Sequence, residues 1–373
     1  MFKKFLKILL ARKKFFPPKK NKVIVLDYVF IDEMKFFFKN TNPEYIDVRY
    51  YKINIYVLLC LLFSREKKIF RNYVKKYIDI VNPKIIITGN DNLSWFYELK
   101  NYFPQIKFIV VQNGFRNHLF FKSINKKKSL KADFIFTFSK SLSKFYKKKI
   151  KSNVIPIGSL RNNFYPKKKV KKRKSVLFVS SGYPQLHGNI IEFHGKIRVN
   201  TQKYFYNDIK LFKLVYKFCR KNNLNLELVT RKINDSNEYS FYKKLINSDK
   251  FIFHNRNKGR NEIYRISDEV IVTVTTSSTF GFENLARGNK TAIFNNKVQC
   301  TKGVMNIFWN HKIPKRGNFW TNYVSESETN RILNSVININ IKDWNRRNKK
   351  LINNLMSYDY KNSKLKSLIN KCA

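Results

Sequence analysis

The segment from residue 267 to residue 295, SDEVIVTVTTSSTFGFENLARGNKTAIFN, constrains the fold of this chain more than any other. The short β-branched run Val270–Val272 predicts a buried strand, and a second strand is predicted to start at Thr291. Between them, apolar residues at helical spacing predict a helix that begins near Gly281 and stops at Gly288. A strand, a helix and a strand joined by short links predict parallel pairing in an α/β sheet.

A run of hydroxyl side chains, Thr275–Thr279, joins the first strand to the helix. Free backbone N–H groups and the helix dipole attract anions at such a turn. The alternative is that Ser277 or Ser278 only caps the helix. Four or five successive hydroxyls exceed what a cap requires, so we predict a ligand site. Its residues would be Thr276, Ser277, Ser278, Thr279 and Gly281, with Glu283 reaching a sugar hydroxyl from the rim.

Similar alternation of strands and helices extends along most of the chain and predicts two Rossmann-like units. Strands are expected at 23–26, where Asp27 ends the run, at 46–51, 84–88, 107–112 and 133–138, and again at 175–179 and 225–230. The predicted fold class is therefore α/β, with two Rossmann-like domains facing a central cleft. The predicted divisions are a basic amphipathic arm (1–20), an acceptor domain (21–158), a donor-binding domain (159–325) and a C-terminal helical segment packing back on the body (326–373).

The charge of the chain is extreme, with 76 Lys and Arg against 24 Asp and Glu, a formal net charge of +52. Such an excess suggests a nucleic-acid or anionic-membrane partner. The cations are spread over the whole chain, however, and accompany many Asn, Ile, Phe and Tyr, which is typical of an AT-rich genome. We therefore expect a generic affinity for polyanions and no specific nucleic-acid partner. The four cysteines form no CxxC pair, which favours a reduced, cytoplasmic compartment.

Two apolar segments bear on membranes. Tyr56–Phe63 is too short to span a bilayer and is interpreted as a buried helix or strand. The first sixteen residues, MFKKFLKILLARKKFF, place apolar residues at helical spacing among lysines. They lack a signal peptide's long apolar core and cleavage site. They predict either a basic amphipathic helix lying on anionic lipid at the inner face of the cell membrane, or a frayed basic tail.

The motif D-x-V-x-x-x-x-x-T-S-S-T-x-G-F-E-x-L-A-R-G-x-K, from Asp268 to Lys290, resembles the donor-side motif of GT-B glycosyltransferases. It is most similar to that of bacterial surface-carbohydrate biosynthesis proteins, whose relatives transfer Kdo, sialic acid or glycerol phosphate from CMP- or CDP-activated donors. Val111–Arg116 is similar to the acceptor-domain glycine loop of that group, and some relatives carry a carboxylate where Asn113 stands. The resemblance implies acceptor contacts by Asn113, Gly114 and Arg116, a nucleotide-sugar donor that is CMP-linked, and a glycan or lipid-linked glycan acceptor. It implies lipopolysaccharide, O-antigen or other polysaccharide synthesis without a metal or cofactor.

Glycosyl transfer requires a grip on the donor phosphate, stabilisation of the leaving group and a base for the acceptor hydroxyl. Arg231, after a predicted strand, is the candidate for the leaving phosphate; its alternative is one more surface cation. Asp91, after the strand KIIIT, is the first candidate base, and helix capping is its alternative role. His118 is the second candidate base. His187, Glu192 and His194 do not have the spacing of a zinc-peptidase helix, so no metal site is predicted.

Three other functions remain open from the sequence. A phosphotransferase that uses a CDP-alcohol would have the same fold. A basic nucleic-acid-binding protein would explain the charge, although no recognisable binding motif occurs. A sugar-nucleotide epimerase shares the two-domain architecture but needs acidic and histidine groups on both faces of the sugar, and this chain has few.

Overall fold

The computed structural model of the chain describes residues 10–47, 52–62, 69–124, 129–165, 167, 170–193, 197–232, 235–255, 259, 261–276, 278–310 and 313–372. Within them the chain forms two compact units. The first comprises Met1–Asn113, Ile124–Phe164 and Asn362–Ala373, and the second comprises Gly114–Ser123 and Tyr165–Lys361. No helix in the described ranges is long and apolar enough to cross a bilayer.

The elements alternate along the chain as expected for α/β units. The strands are β1 (Arg12–Lys14), β2 (Val23–Leu26), β3 (Glu44–Ile46), β4 (Lys52–Asn54), β5 (Ile85–Thr88), β6 (Lys107–Val111), β7 (Lys131–Thr137), β8 (Lys151–Pro156), β9 (Arg173–Val179), β10 (Ile190–Phe193), β11 (Ile197–Asn200), β12 (Asn225–Val229), β13 (Ile252–Phe253), β14 (Val270–Thr275), β15 (Thr291–Phe294) and β16 (Trp320–Thr321). The helices are α1 (Ile31–Phe37), α2 (Ile55–Leu62), α3 (Ile69–Val81), α4 (Ser94–Leu99), α5 (His118–Ile124), α6 (Lys140–Lys147), α7 (Leu160–Phe164), α8 (Thr201–Lys221), α9 (Ser236–Ile246), α10 (Glu262–Glu269), α11 (Thr279–Ala286), α12 (Glu326–Asn338), α13 (Ile341–Leu355) and α14 (Ser363–Cys372).

The first unit is built on a parallel six-stranded sheet in the order β3-β2-β5-β6-β7-β8. The central strands β2 and β5, VIVL and IIIT, are almost entirely apolar and fully buried, because helices cover both faces of a parallel sheet. The C-terminal helix α14 adds Leu365 and Ile369 to the core around β2, β5 and β6. The winding reverses between β2 and β5, which is where open α/β sheets bind ligands.

The second unit has its own six-stranded parallel sheet in the order β13-β12-β9-β14-β15-β16. The chain winds outward from β9 to β12 and β13 and then returns to β14 on the other side of β9. The reversal therefore lies between β9 and β14. Buried residues of β9, β12, β14, α10 and α11 share one core cluster, and an antiparallel hairpin, β10–β11, precedes α8.

The predicted fold class of two Rossmann-like units is confirmed, and the strand, helix and strand of residues 267–295 are all present. Asp268 and Glu269 belong to the end of α10, and α11 begins at Thr279, two residues before the predicted position. The units divide between Phe164 and Tyr165, and the C-terminal region is shared: α12 and α13 lie in the second unit and α14 in the first.

Three local predictions differ from the structure. The strand predicted at 46–51 overlaps the observed β3 only at Ile46, where the pairing with β2 ends; Asp47 lies outside β3, and residues 48–51 lie outside the described ranges. The interpretation of residues 56–63 as buried is wrong for α2, which leaves Tyr56, Leu59 and Leu62 exposed. In the arm, Arg12–Lys14 is a strand because its backbone pairs with β4; residues 1–9 lie outside the described ranges.

Candidate functional site

The carboxyl edge of the second sheet brings three polar turns together at the reversal of winding. Val179 of β9 pairs with Val229 of β12 and with Thr275 of β14. The residues that follow these strands, Ser180, Thr230 and Thr276, therefore emerge side by side. Three turns at one strand edge form the ligand-binding position of an open α/β sheet.

The turn after β14 leads directly into the N-terminus of α11. Ser278 caps the helix: its Oγ accepts a hydrogen bond of 3.2 Å from the backbone N–H of Phe280. Thr279 is the first helical residue and is partly exposed, and the buried Oγ1 of Thr276 has no hydrogen-bond partner among the described residues. Ser277 lies outside those residues. The N–H groups of Phe280 and Gly281 are already bonded to Ser278, so the helix dipole and these hydroxyls are what the turn offers to an anion.

Gly281 brings α11 close to β14. A Cβ at this position would lie 2.4 Å from Cγ2 of Thr275, a distance that real side chains do not adopt. Any other residue would push the first turn of the helix away from the end of the strand. Gly281 therefore sets the position of the helix N-terminus.

The turn after β9 is held rigid by hydrogen bonds and by a glycine. The hydroxyl of Ser180 lies 2.9 Å from the Tyr242 hydroxyl and accepts a hydrogen bond of 3.0 Å from the backbone N–H of Gly182. Gly182 has φ +111°, a backbone conformation that residues with a Cβ rarely adopt. This conformation places the turn beside Arg231, whose Cδ would lie 3.3 Å from a Cβ on Gly182.

A buried ion pair lies behind the same turn and was not predicted. The Lys297 Nζ is 2.8 Å from Oδ2 of Asp208, and both side chains are almost fully buried. Lys297 also donates to the Ser181 hydroxyl, which in turn donates to Asp208. Burial opposes the charged ammonium, but the attraction of Asp208 outweighs it and raises the pKa of Lys297. The pair therefore links α8 and the segment after β15 to the turn after β9.

Arg231 is exposed at the end of β12 and lies beside His187. Its Nη1 is 3.3 Å from Nε2 of His187 and 3.5 Å from the carbonyl oxygen of Ser181. Burial, and then the charges of Arg231 and Lys297, lower the pKa of His187, so its imidazole is neutral near pH 7. The arginine thus presents a positive charge to the carboxyl edge of the sheet.

The buried side chain of Glu238 holds the backbone of Arg231 in place. The carboxylate of this buried residue accepts a hydrogen bond of 3.1 Å from the backbone N–H of Arg231. Burial raises the pKa of Glu238 to about 7, against the opposing effect of hydrogen bonds from Ser180 and Arg231. Its ionisation therefore falls within the physiological pH range, directly below the candidate phosphate ligand.

Several residues of the 268–290 motif are structural. The Arg287 guanidinium pairs with Asp268 at 2.5 Å in the interior, and Asn289 donates to Asp268 at 2.7 Å and to Asn284 at 2.8 Å. This network joins the end of α10 to the end of α11. Glu283, the predicted rim residue, accepts a hydrogen bond of 2.9 Å from the Tyr264 hydroxyl and is half-buried.

The carboxyl edge of the first sheet carries a second polar cluster, and it includes Asp27, which was not predicted as a site residue. Asp27 follows β2, is buried, has φ +70°, and accepts hydrogen bonds from the Tyr28 backbone N–H at 2.7 Å and from the Asn90 amide. Asn90 follows β5, and its Oδ1 accepts from the Asn113 amide at 3.4 Å. The cluster thus lies at the reversal of winding between β2 and β5.

Asp91, the first candidate base, belongs to the same edge. Its side chain is fully buried and accepts hydrogen bonds from the Tyr146 hydroxyl at 2.5 Å and from the backbone N–H of Asn113 at 3.2 Å. In this conformation Asp91 positions the loop that begins at Asn113, and its catalytic role stays a prediction.

The predicted acceptor loop continues into the second unit. The Trp309 indole N–H donates to the Arg116 carbonyl at 2.7 Å, and the rings of Phe115 and Phe282 lie 4.3 Å apart. His118, the second candidate base, is exposed at the start of α5, with its ring 6.4 Å from that of Trp309. Gly114 belongs to the same segment.

The structure therefore groups the predicted site residues into three places. Thr276, Ser278, Thr279, Gly281 and Arg231 share the carboxyl edge of the second sheet; Asp91 and Asn113 share that of the first; Gly114, Arg116 and His118 lie in the segment packed on Trp309. Of the residues that sequence reasoning missed, Asp27 was detectable from its place directly after a predicted strand. Asp208 lies within a helix and gave no signal. His194 lies outside the described ranges, and Glu192 pairs with Arg198 in the β10–β11 hairpin at 3.2 Å.

Comparisons with solved structures identify the fold class. A glycosyltransferase from Rickettsia africae superimposes with a TM-score of 0.51 at 12% identity, over 95% of this chain and 99% of that one. The wall teichoic acid polymerase TagF superimposes with a TM-score of 0.51 at 11% identity, over 95% of this chain and 89% of that one. A protein from Listeria monocytogenes described as "putative UDP-N-acetylglucosamine 2-epimerase" superimposes with a TM-score of 0.52 at 10% identity. The match covers 94% of this chain and 95% of that one. The fold is that of the GT-B class.

The family follows from the sequence itself. Residues 109–373 match the model of the family described as "putative O-antigen biosynthesis protein". The match spans well over half of the chain, and the chain belongs to this family. No curated protein matches it in sequence.

Proposed function

We propose that this protein is a glycosyltransferase that moves a sugar from a nucleotide-activated donor to a glycan or lipid-linked glycan acceptor in surface polysaccharide synthesis. The observation that carries the proposal is the carboxyl edge of the second sheet. There the hydroxyls of Thr276, Ser278 and Thr279, the N-terminus of α11 and the Arg231 guanidinium lie along one edge of the sheet, at the reversal of winding and beside it. Membership of the O-antigen family and the GT-B fold support the same conclusion.

The chemistry of the site suits a phosphate leaving group. As the bond between the sugar and the phosphate breaks, negative charge grows on the phosphate oxygens. The dipole of α11, the Thr276 and Thr279 hydroxyls and Arg231 would neutralise that charge without a metal ion. Among the described residues no group of three or more His, Cys, Asp or Glu side chains could hold a metal. Because the proposed mechanism neutralises this charge with the protein's own groups, turnover should persist in a chelator.

The acceptor hydroxyl must lose a proton as its oxygen forms the new bond to the sugar. We assign this step to a carboxylate at the carboxyl edge of the first sheet. Asp91 is the sequence-based candidate, and Asp27 joins it because of its place beside Asn90 at the reversal of winding. His118 is the remaining candidate, since a histidine side chain at an exposed position can act as a general base.

The donor class is tested by nucleotide binding. We would compare the thermal stabilisation of the wild type by CMP, CDP, UDP, GDP and ADP with that by inorganic pyrophosphate. A CMP-linked sugar is the proposed donor, so CMP should stabilise the protein most. Strong stabilisation by CDP instead would favour transfer of an alcohol phosphate, and a nucleotide effect no larger than that of pyrophosphate would overturn the proposed donor site.

The location of the site is tested by a charge-matched pair of variants. Arg231→Ala should weaken nucleotide binding by about tenfold or more, because one charge-assisted contact to phosphate is lost. Arg198→Ala also removes one exposed positive charge, from the β10–β11 hairpin, and should leave binding unchanged. Equal losses in the two variants would show that only the overall positive charge of the chain matters. Release of free nucleotide from the activated sugar, in the presence of acceptor, then measures transfer itself.

Acceptors of this kind are held at membranes, and we propose that the protein works at the inner face of the cell membrane through peripheral contact with anionic lipid. The charge of +52 supports this contact.

A further inference from the structure

Helix α2 presents an apolar face that the rest of the first unit does not cover. The helix sequence, IYVLLCLL, has no charged residue, yet among its side chains only Val57 is fully buried. Tyr56, Leu59 and Leu62 are 41%, 49% and 66% exposed and follow one another at intervals of three residues, so they share one side of the helix. A contiguous exposed apolar stripe on a folded unit marks an interaction surface.

The residues after β1 extend this apolar surface. Phe15 and Phe16 are 65% and 85% exposed. Lys14 pairs with Asn54 in the parallel β1–β4 ribbon, so the two phenylalanines follow β1 at the end where α2 begins. Asn54 connects them: its Nδ2 donates to the carbonyl of Phe16 at 2.9 Å, and its Oδ1 accepts from the backbone N–H of Val57 at 3.1 Å.

The two chain segments that carry these apolar residues are basic. Residues 10–26 and 52–62 contain no Asp or Glu. Their basic side chains are all exposed, and Lys14 has a partner in Glu44 at 3.3 Å. These side chains are Arg12, Lys13, Lys14, Lys19, Lys20, Lys22 and Lys52. An apolar face with a basic border is the composition of a surface that lies in the interface of an anionic bilayer.

We propose that α2 together with Phe15 and Phe16, here called the α2 face, docks this protein on an anionic lipid bilayer. With eight residues, α2 is about 12 Å long and cannot span a bilayer, so it lies in the interface with its leucines among the acyl chains. A second copy of the chain is a poorer partner, because two such faces in contact would oppose one cationic border to another. The proposal assigns the membrane contact to α2, Phe15 and Phe16, of which only the two phenylalanines belong to the segment predicted as an amphipathic helix, residues 1–16. It does not depend on the proposed catalytic activity.

The test is co-sedimentation with vesicles at raised ionic strength, where attraction between the charged chain and the lipid is screened. The wild type should bind vesicles of phosphatidylethanolamine and phosphatidylglycerol more strongly than vesicles of phosphatidylcholine. Leu59→Glu/Leu62→Glu should lower the partition coefficient by about tenfold or more, since buried apolar area is lost and charge is added. Ile190→Glu/Ile341→Glu changes two exposed isoleucines of the second unit, with the same change in net charge, and should bind as the wild type does.

Direct insertion is measured with Leu62→Trp and brominated lipid. Quenching of the added tryptophan emission on vesicle binding is expected. Equal binding by the two double variants, or no quenching at residue 62, would overturn the proposal. So would a dimer of the wild type that Leu59→Glu/Leu62→Glu dissociates while vesicle binding is retained, since the α2 face would then be covered by a second copy.

Discussion

The Nζ of Lys297 and Oδ2 of Asp208 lie 2.8 Å apart in the interior of the second unit, with the side chains 1% and 3% exposed. The ammonium also lies 3.8 Å from the centre of the Tyr204 ring. The pair holds α8 to the segment after β15, and the Ser181 hydroxyl bridges it to the turn after β9. The turn that forms one wall of the proposed donor site therefore rests on a buried charge pair.

Removing one member of this pair should be costly. Lys297→Met leaves Asp208 buried without its counter-charge and should lower the free energy of unfolding by about 3–5 kcal/mol. Chemical denaturation measures this change. Lys297→Met/Asp208→Leu should be less destabilised than Lys297→Met alone, because no uncompensated charge remains. A double variant that is as unstable as the sum of the two single variants would show that the pair is not coupled.

Gly281 should tolerate no Cβ while Thr275 keeps its methyl group. Gly281→Ala is expected to cost about 1–3 kcal/mol of unfolding free energy, because the new atom overlaps Cγ2 of Thr275. Thr275→Ser removes that methyl and should recover most of the loss in the double variant. Gly188→Ala, at a position with no atom within 4 Å of a Cβ, is the control and should change stability little. Absence of recovery by Thr275→Ser would place the strain elsewhere.

Glu238 should make stability depend on pH. Its pKa in the folded state, about 7, lies above the ordinary value of 4.5 that applies to the unfolded chain. Between these two pH values the folded state holds a proton that the unfolded state has lost. The stability that this proton contributes is therefore lost as the pH rises from 4.5 to 7. From about pH 5 to about pH 8, the unfolding free energy of the wild type should fall by about 2–3 kcal/mol relative to that of Glu238→Gln. Denaturation at both pH values measures the difference. Glu192 is an exposed carboxylate, so Glu192→Gln should show the same dependence of unfolding free energy on pH as the wild type. If Glu238→Gln also shows that same dependence, the raised pKa of Glu238 is contradicted.

Asp27 and Asp91, at the carboxyl edge of the first sheet, should differ in their effect on kcat. Changing the residue that accepts the proton of the acceptor hydroxyl to the amide should lower kcat by about a hundredfold or more. The affinity for nucleotide should not change. Asp27→Asn and Asp91→Asn, assayed for nucleotide release with acceptor, decide between them. Loss of folding in either variant would be visible as a lower unfolding midpoint. Full activity in both would leave His118, and His118→Gln would then carry the loss.

Much of the candidate site follows from local sequence. Thr276, Ser278 and Thr279 were predicted as site residues because hydroxyl side chains between a strand and a helix lie at the helix N-terminus. The structure places the start of α11 there, at Thr279. Arg231 was found because residues directly after parallel strands share one edge of the sheet. Asp27 follows β2 directly and obeys the same rule.

What the sequence by itself determined is the alternation of elements, two parallel sheets and the position of polar turns at the strand ends, since apolar period and glycine placement are local properties. Only the tertiary structure decided which strands are neighbours, and hence where each sheet reverses its winding. It also paired Lys297 with Asp208 across 89 positions, assigned the residues Asp268, Arg287 and Asn289 of the motif to a structural network, and left the apolar side of α2 uncovered. These outcomes depend on contacts between residues far apart in the chain, and the apolar content of α2 is the same whether its leucines face a core or an exposed surface.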